Sequence, residues 1–239
     1  MNKKTSLAIA CFTVTLLISA GFAPYAARTA HAHDAQGLLD AVIQGSHRSD
    51  ANRARDQYRH PKETLLFFGL QPDMTVVEIS PANGWYTEII APYVRDQGKF
   101  YAAHFSPNAS LSYMAPNLRN FEAKMSSDPA LYGKVTVRHL NPPHEIVIAP
   151  AESADMALTF RNVHNWVMAD QQHEFFATFF AALKPGGILG IVEHRAKADA
   201  GMEVMRTSGY VTEAYVKELA DYLEENNPDE LNAIKTRLG

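Results

Sequence analysis

Cysteine is all but absent. The one residue, Cys11, stands among the first 32 positions, so the remainder has no disulfide, no thiolate metal ligand and no cysteine nucleophile. Excess positive charge is absent as well. The 239 residues carry a formal net charge of −4, which leaves no electrostatic footprint for nucleic acid. Internal repeats and low-complexity runs are missing too. What remains is an ordinary globular composition, 46% hydrophobic and 20% charged, in a length that suits one large domain or two small ones.

The first 32 residues read as an export signal. Lys3 and Lys4 form a short basic start, Leu7 to Ala20 an apolar stretch, and Ala30-His31-Ala32 a small-x-small cleavage site. No acidic residue lies before Asp34. Thr5 to Ala27 is also free of charge and long enough to span a bilayer uncleaved, but the cleavage site puts the cleaved reading first. Too little apolar sequence precedes Cys11 for a lipoprotein signal. Cleavage gives a chain starting at His33, in the periplasm or otherwise exported, with no stable membrane insertion. It removes three positive charges and no negative one, moving the net charge from −4 to −7.

The chain is organised around Thr75 to Thr87. Val76, Val77 and Ile79 form a nearly continuous β-branched run, as in a strand covered on both faces. Ser80, Ala82 and Gly84 then make a small-residue turn, and Trp85, Tyr86, Ile89 and Ile90 recur at helical spacing. Such a strand–turn–helix brings backbone N–H groups and a helix start to the carboxyl edge of a parallel sheet. A nicotinamide fingerprint needs glycine at the first, third and sixth positions; counted from Ser80, the sixth is Trp85. A phosphate loop would need a lysine that is not there.

Before this stretch the pattern predicts helices over Asp34 to Ser49, from a Ser49-Asp50 cap through His60, and over Lys62 to Phe68, opened by Pro61 and closed by Gly69. After it, strands alternate with helices: Gly98–Phe105, a helix Ser110–Met125 interrupted near Pro116, Lys134–Leu140, Ala154–Phe160, a helix Asp170–Leu183 with its phenylalanines inward, a turn at Lys184–Gly187, and a buried strand Ile188–Val192. The 45 residues after His194 read as helix, Thr212–Glu225 and Pro228–Leu238. The expected fold is α/β: a doubly wound, mostly parallel sheet of about five strands. Expected boundaries are a signal peptide over 1–32, a helical annex over 33–72 and the α/β domain over 73–239.

Three blocks carry a family resemblance. They are Val76-Val77-Glu78-Ile79-Ser80-Pro81-Ala82-Asn83-Gly84, Asp155-Met156-Ala157-Leu158-Thr159-Phe160-Arg161-Asn162-Val163-His164, and Leu183-Lys184-Pro185-Gly186-Gly187-Ile188-Leu189-Gly190-Ile191-Val192-Glu193. In this order and spacing the chain resembles a class I S-adenosylmethionine-dependent methyltransferase, in particular an exported branch of that family. The resemblance implies a Rossmann-like sheet of order 3-2-1-4-5, S-adenosylmethionine as cofactor and a small-molecule methyl acceptor. It implies cofactor contacts at Glu78, Ser80, Ala82, Gly84, Trp85, His104, Phe160 and Arg161. It ends the fourth-strand block near the transferred methyl, with His164 as candidate base in a loop after the fourth strand and Asn162 a candidate to hold the adenine or the cofactor's tail; the plainer reading is that both only hydrogen-bond a turn. Ser80 and Ala82 stand where the family has glycine, and each adds a Cβ where the ligand presses closest. His104 stands near the family's ribose-binding acid, where a neutral imidazole could hold one hydroxyl.

Other features have two readings. His104, His139, His164 and His194 end four strands, which suits metal ligands or general bases, but polar residues commonly finish strands and no metal is assigned. Arg53, Arg55, Arg59 and His60 could line a mouth for an acidic substrate; a solvated face paired with Asp50, Asp56 and Glu63 is the plainer reading. Against methyl transfer stands a non-catalytic exported ligand- or metal-binding protein on a degenerate methyltransferase scaffold.

Overall fold

The computed structural model describes residues 34–109 and 111–226. The expected signal peptide, Ser110 and the expected helix Pro228–Leu238 lie outside the described residues. Five parallel strands form one sheet in the order β3-β2-β1-β4-β5. They are β1 Thr75–Ile79, β2 Lys99–Phe105, β3 Val135–Leu140, β4 Ala154–Phe160 and β5 Leu183–Val192. This is the order 3-2-1-4-5 that the sequence predicts. The order reverses at β1, so the crevice beyond its carboxyl end is where an open α/β sheet takes ligands.

Ahead of β1 lie α1 (residues 34–43), α2 Asp50–Arg53, α3 Asp56–Arg59 and α4 Pro61–Phe67. Ser49 caps α2, its hydroxyl accepting from the Asn52 N–H at 3.2 Å. His60, at φ 44°, turns the chain so that Pro61 opens α4, and Gly69 at φ 76° ends it. After β1 come α5 Thr87–Val94, α6 Met114–Ser127 and α7 Pro129–Tyr132; after β4 come α8 Val163–Met168 and α9 Gln172–Ala182; after β5 come α10 Met202–Ser208 and α11 Glu213–Asn226. Among the described residues no helix is long and apolar enough to cross a membrane.

Both faces of β1 are covered. Val77 and Ile79 join one apolar cluster with Trp166 of α8 and Phe176 and Phe179 of α9. Val76 joins the other with Leu39, Leu65, Ile89, Ile90 and Phe121. Fully burying side chains of this size is worth roughly 1.5–3 kcal/mol each.

Four expectations change. Pro116 does not interrupt a helix; α6 begins at Met114, and a proline in the first turn forfeits no helical hydrogen bond. The Lys184–Gly187 turn lies inside β5. Ala154 pairs with Leu183 and Met156 with Ile188, so two steps on β4 face five on β5, and Gly186 at φ 80° takes up the bulge. The strand Ile188–Val192 is mostly half-buried, as suits an edge, rather than buried on both faces. His164 is in the first turn of α8 rather than a loop.

Pro92 lies inside α5 and cannot donate to the Glu88 carbonyl four residues earlier. His47, just after α1, supplies that bond, its Nε2 donating to Glu88 O at 2.8 Å. The annex therefore docks on a carbonyl that a proline set free.

Candidate ligand-binding cavity

The turn after β1 carries a left-handed residue at every second position. Ser80, Ala82 and Gly84 have φ of 49°, 51° and 73°. The first two are not glycine, and the left-handed region costs such residues roughly 1–2 kcal/mol each. Tertiary bonds hold the shape: Ser80 N donates to Ala103 O at 2.8 Å, His104 Nε2 to Ala82 O at 2.8 Å, and Lys124 Nζ to Asn83 O at 2.9 Å. At Gly84 a Cβ would come within 3.0 Å of the Phe121 ring, so glycine is needed there for space as well as for φ.

This turn, the α2–α3 segment and the end of β4 enclose a cavity of about 450 Å³. Glu78, on β1, is at its base and only 2% exposed. The Thr87 hydroxyl donates to Glu78 Oε2 at 2.5 Å. Burial pushes the Glu78 carboxyl up to about 7, against the opposing pull of Thr87 and Lys124. Tyr86 and Phe160 stack beside it, ring centres 3.5 Å apart and planes 10° from parallel. Burial raises the Tyr86 phenol above its ordinary value.

Trp85 is the hinge between loop and annex. Its Nε1 donates to Asn52 O at 3.1 Å, and the guanidinium carbons of Arg59 and Arg48 lie 4.7 and 5.1 Å from its ring centre. Arg48, with a side chain 0% exposed, grips Asp56 with two bonds of 2.8 Å and donates to Ile43 O at 2.8 Å. Its Nε faces Glu88 at 3.8 Å, within ion-pair reach but beyond a hydrogen bond. Asn52 donates to both Glu88 oxygens at 2.9 Å, and Lys124 pairs with the same carboxylate at 2.5 Å. A buried carboxylate needs partners of this kind, because an unpaired one is strongly disfavoured.

Of the residues singled out from the sequence, the cavity brings together Glu78, Ser80, Ala82, Trp85, Phe160, Arg161 and Asn162. The Asn162 amide donates to Thr159 Oγ1 at 3.0 Å, to Ile79 O at 3.3 Å and to Phe160 O at 3.4 Å, tying the ends of β1 and β4 together. Gly84 packs under Phe121 and is not on the lining. His104 is also off the lining and fully buried. Phe105 N–H donates to its Nδ1 at 2.7 Å, which leaves Nε2 as the donor to Ala82. With both ring nitrogens engaged, His104 braces the loop and has none to offer a ribose hydroxyl. Burial lowers its basicity and favours this neutral form.

His164 stands apart. Its Nδ1 is 2.8 Å from Glu193 Oε1, its ring centre 5.8 Å from that of His194, and it does not line the cavity. Glu193 also accepts from the backbone of His194 at 2.7 Å and of His164 at 3.3 Å. His104 and His139 are register neighbours across β2 and β3, as the sheet order requires. Among the described residues no three His, Cys, Asp or Glu side chains converge as a metal site would need.

The annex cations divide. Arg53 pairs with Asp50, while Asp56 is taken by Arg48. Arg55 and Arg59 line the cavity, so the solvated-face reading fails for these two. Burial, then repulsion from Arg55 and Arg161, lowers Arg59 to about 10. Asn52 and Lys124 also line it; neither carries a local motif that marks it.

No protein-family model matches the sequence, and no curated protein is similar enough in sequence to match it. Similar folds occur among solved structures. One is an S-adenosylmethionine-dependent methyltransferase of Aquifex aeolicus, with a TM-score of 0.54 and 18% identity over 80% of this chain and 86% of that one. Another is a candidate methyltransferase of Bacillus halodurans C-125, with a TM-score of 0.50 and 13% identity over 70% of this chain and 68% of that one. At these identities the likeness is one of fold: a Rossmann-like sheet of the methyltransferase type.

Proposed function

We propose that the cavity binds S-adenosylmethionine and that the protein transfers its methyl group to a small molecule. The observation that carries this reading is Glu78, a buried carboxylate beneath a left-handed loop at the switch point of the sheet. Burial raises its proton affinity, offset only in part by Thr87 and Lys124, and a ligand's amino group would offset it further. The volume of about 450 Å³ falls within the roughly 300–1,000 Å³ usual for small-molecule sites. Fold likeness supports the reading by analogy.

Glu78 would hold the cofactor's amino group, and the Ser80–Ala82 backbone and the Tyr86–Phe160 stack would bound its body. His104, already spent on Ala82, would support the loop without touching the ribose. The bound cofactor supplies an electrophilic methyl on a sulfonium. Asn162 would orient the acceptor at the carboxyl end of β4. His164, in the first turn of α8, keeps Nδ1–H on Glu193 and does not line the cavity, so it would take a proton on Nε2 only from an acceptor group that reaches beyond the cavity. The enzyme's main contribution is alignment for an in-line displacement.

Calorimetry with S-adenosylmethionine and S-adenosylhomocysteine tests this directly. Binding should tighten as pH rises through about 7, where Glu78 ionises. Glu78→Gln should weaken it roughly tenfold or more, as loss of a charge-assisted contact does. No heat from either ligand across that pH range would end the proposal. Export belongs to the same proposal; a mature amino terminus at His33 in protein recovered from the periplasm would support it, and an intact leader there would not.

A further inference from the structure

The cavity has more positive charge than its own residues neutralise. Arg55, Arg59, Arg161 and Lys124 all line it. Lys124 is paired with Glu88. Arg55, Arg59 and Arg161 have no carboxylate within ion-pair distance among the described residues, whereas Arg48, Arg53, Arg95, Arg195 and Arg206 each have one. Arg119 and Arg138 are also unpaired, but they are not part of the cavity lining. The unpaired guanidiniums are thus concentrated where three elements meet: α2–α3, the turn after β1 and the end of β4.

Two further observations show that this concentration is built in. Arg161 is held at φ 61°, in the left-handed region that L side chains avoid, and its N–H donates to Val192 O at 2.7 Å. Strain of this kind persists only where the surroundings impose it, and it collects at ligand sites. Arg59 is half-buried and stacked on Trp85, so it cannot swing out to solvent without losing that contact. Burial first, and then repulsion from Arg55 and Arg161, lowers its proton affinity.

S-adenosylmethionine cannot supply the missing charge. Its single carboxylate can occupy one guanidinium, and its sulfonium makes the whole cofactor a net cation. We propose that the methyl acceptor is an anion, a small molecule whose carboxylate or phosphate group is held by Arg55, Arg59 and Arg161. The planar, forked donors of arginine suit the paired oxygens of either group. The identification as acceptor rests on the methyl-transfer reading; the anion site rests on the arginines.

The test uses the full chain, titrated at constant ionic strength with sodium phosphate, sodium succinate and sodium chloride, and in parallel with S-adenosylhomocysteine. Saturable binding of phosphate or succinate in preference to chloride is expected, and the tighter of the two names the anionic group. Arg55→Gln, at an exposed position, and Arg161→Asn, which tolerates the left-handed backbone, should each weaken it about tenfold, as loss of a charge-assisted pair does. Arg138→Gln should leave it within about twofold, as expected of a distant surface charge. Neither anion surpassing chloride, or unchanged binding in both cavity variants, overturns the proposal. If S-adenosylhomocysteine binds while the anions do not, the methyl-transfer reading stands and the anionic acceptor falls. If the anions bind while S-adenosylhomocysteine does not, the methyl-transfer reading and the acceptor assignment fall, and the anion site survives.

Discussion

The two faces of the sheet are built differently. On one, α8 and α9 contribute an apolar cluster rich in aromatic rings: Trp166 stacks on Phe175 with centres 4.5 Å apart, and Phe176 and Phe179 are 0% exposed. On the other, Arg48, Glu78, Thr87 and Glu88 are as deeply buried as the leucines around them. The first face buries polar side chains, Thr159, Gln172 and Thr178, but they are uncharged. The second needs each charge to meet a partner, and it is the face on which the cavity opens. A sheet of uniform backbone thus divides the work, one side supplying stability and the other positioning charge.

The largest effects should expose that division. Phe179→Ala should cost about 3–5 kcal/mol by leaving a core cavity. Arg48→Ala should cost about 3 kcal/mol, because it strands Asp56 without its cation and leaves Glu88 only Lys124 and Asn52. Denaturant melts would give both values. Ligand titrations below the melting range would then separate the faces. Phe179→Ala should bind as the wild type does, whereas Arg48→Ala should bind less well, since Trp85 and α2–α3 lose their anchor. Equal binding by the two variants would break the comparison.

A smaller effect concerns pH. Glu78 has a folded value of about 7 against an ordinary carboxylate value of 4.5. Its proton is therefore bound more tightly in the folded state, and the stability cost of ionising it grows as pH rises from about 4.5 to 7. The groups facing it are Thr87 and Lys124, which favour the charged form, and Tyr86. Glu78→Gln should be more stable than wild type by about 3 kcal/mol above pH 7 and nearly equal to it near pH 4. His104 acts oppositely. Its lowered value makes the fold lose stability as pH falls below 6.5, because the unfolded chain takes up the proton first. The Gln variant should therefore keep the His104 limb of the pH curve and lose the Glu78 limb. A difference between the two proteins that stays flat with pH would contradict this assignment.

The same contrast governs how much could be read from the sequence. The run Val76-Val77, the span Ala154–Phe160 and the inward phenylalanines of α9 are local periodic signals, and the sheet order follows from them together with the methyltransferase resemblance. Glu78, Ser80, Ala82, Phe160, Arg161 and Asn162 were legible as cavity candidates through the methyltransferase resemblance, and the structure brings them to one cavity at the switch point. Arg55 and Arg59 were legible only as one of two readings, because a polar helical turn looks the same whether water or a cavity covers it. What decides is the docking of the annex through His47 on the carbonyl that Pro92 frees, a contact across 41 positions. His104 was misread for a related reason: its position at a strand end was visible, but the inward turn onto Ala82 was not.

The smallest effect bears on the loop itself. Ser80 and Ala82 keep a glycine-type backbone without glycine. Each pays the left-handed cost of roughly 1–2 kcal/mol, partly offset because glycine would add about 0.4–1 kcal/mol of freedom to the unfolded chain. Ser80→Gly and Ala82→Gly should therefore each stabilise the fold by at most about 1.5 kcal/mol. They also remove the Cβ atoms that face the cavity, so cofactor affinity should rise in step. The exposed bulge of β5 offers a control: Gly186, at φ 80°, has nothing within 4 Å of a built Cβ, so Gly186→Ala should lose stability through strain alone and leave binding untouched. Should the loop substitutions stabilise the fold without tightening the cofactor, Ser80 and Ala82 would be strained for the sake of the backbone path only. The ligand would then have to be sought on the arginine side of the cavity.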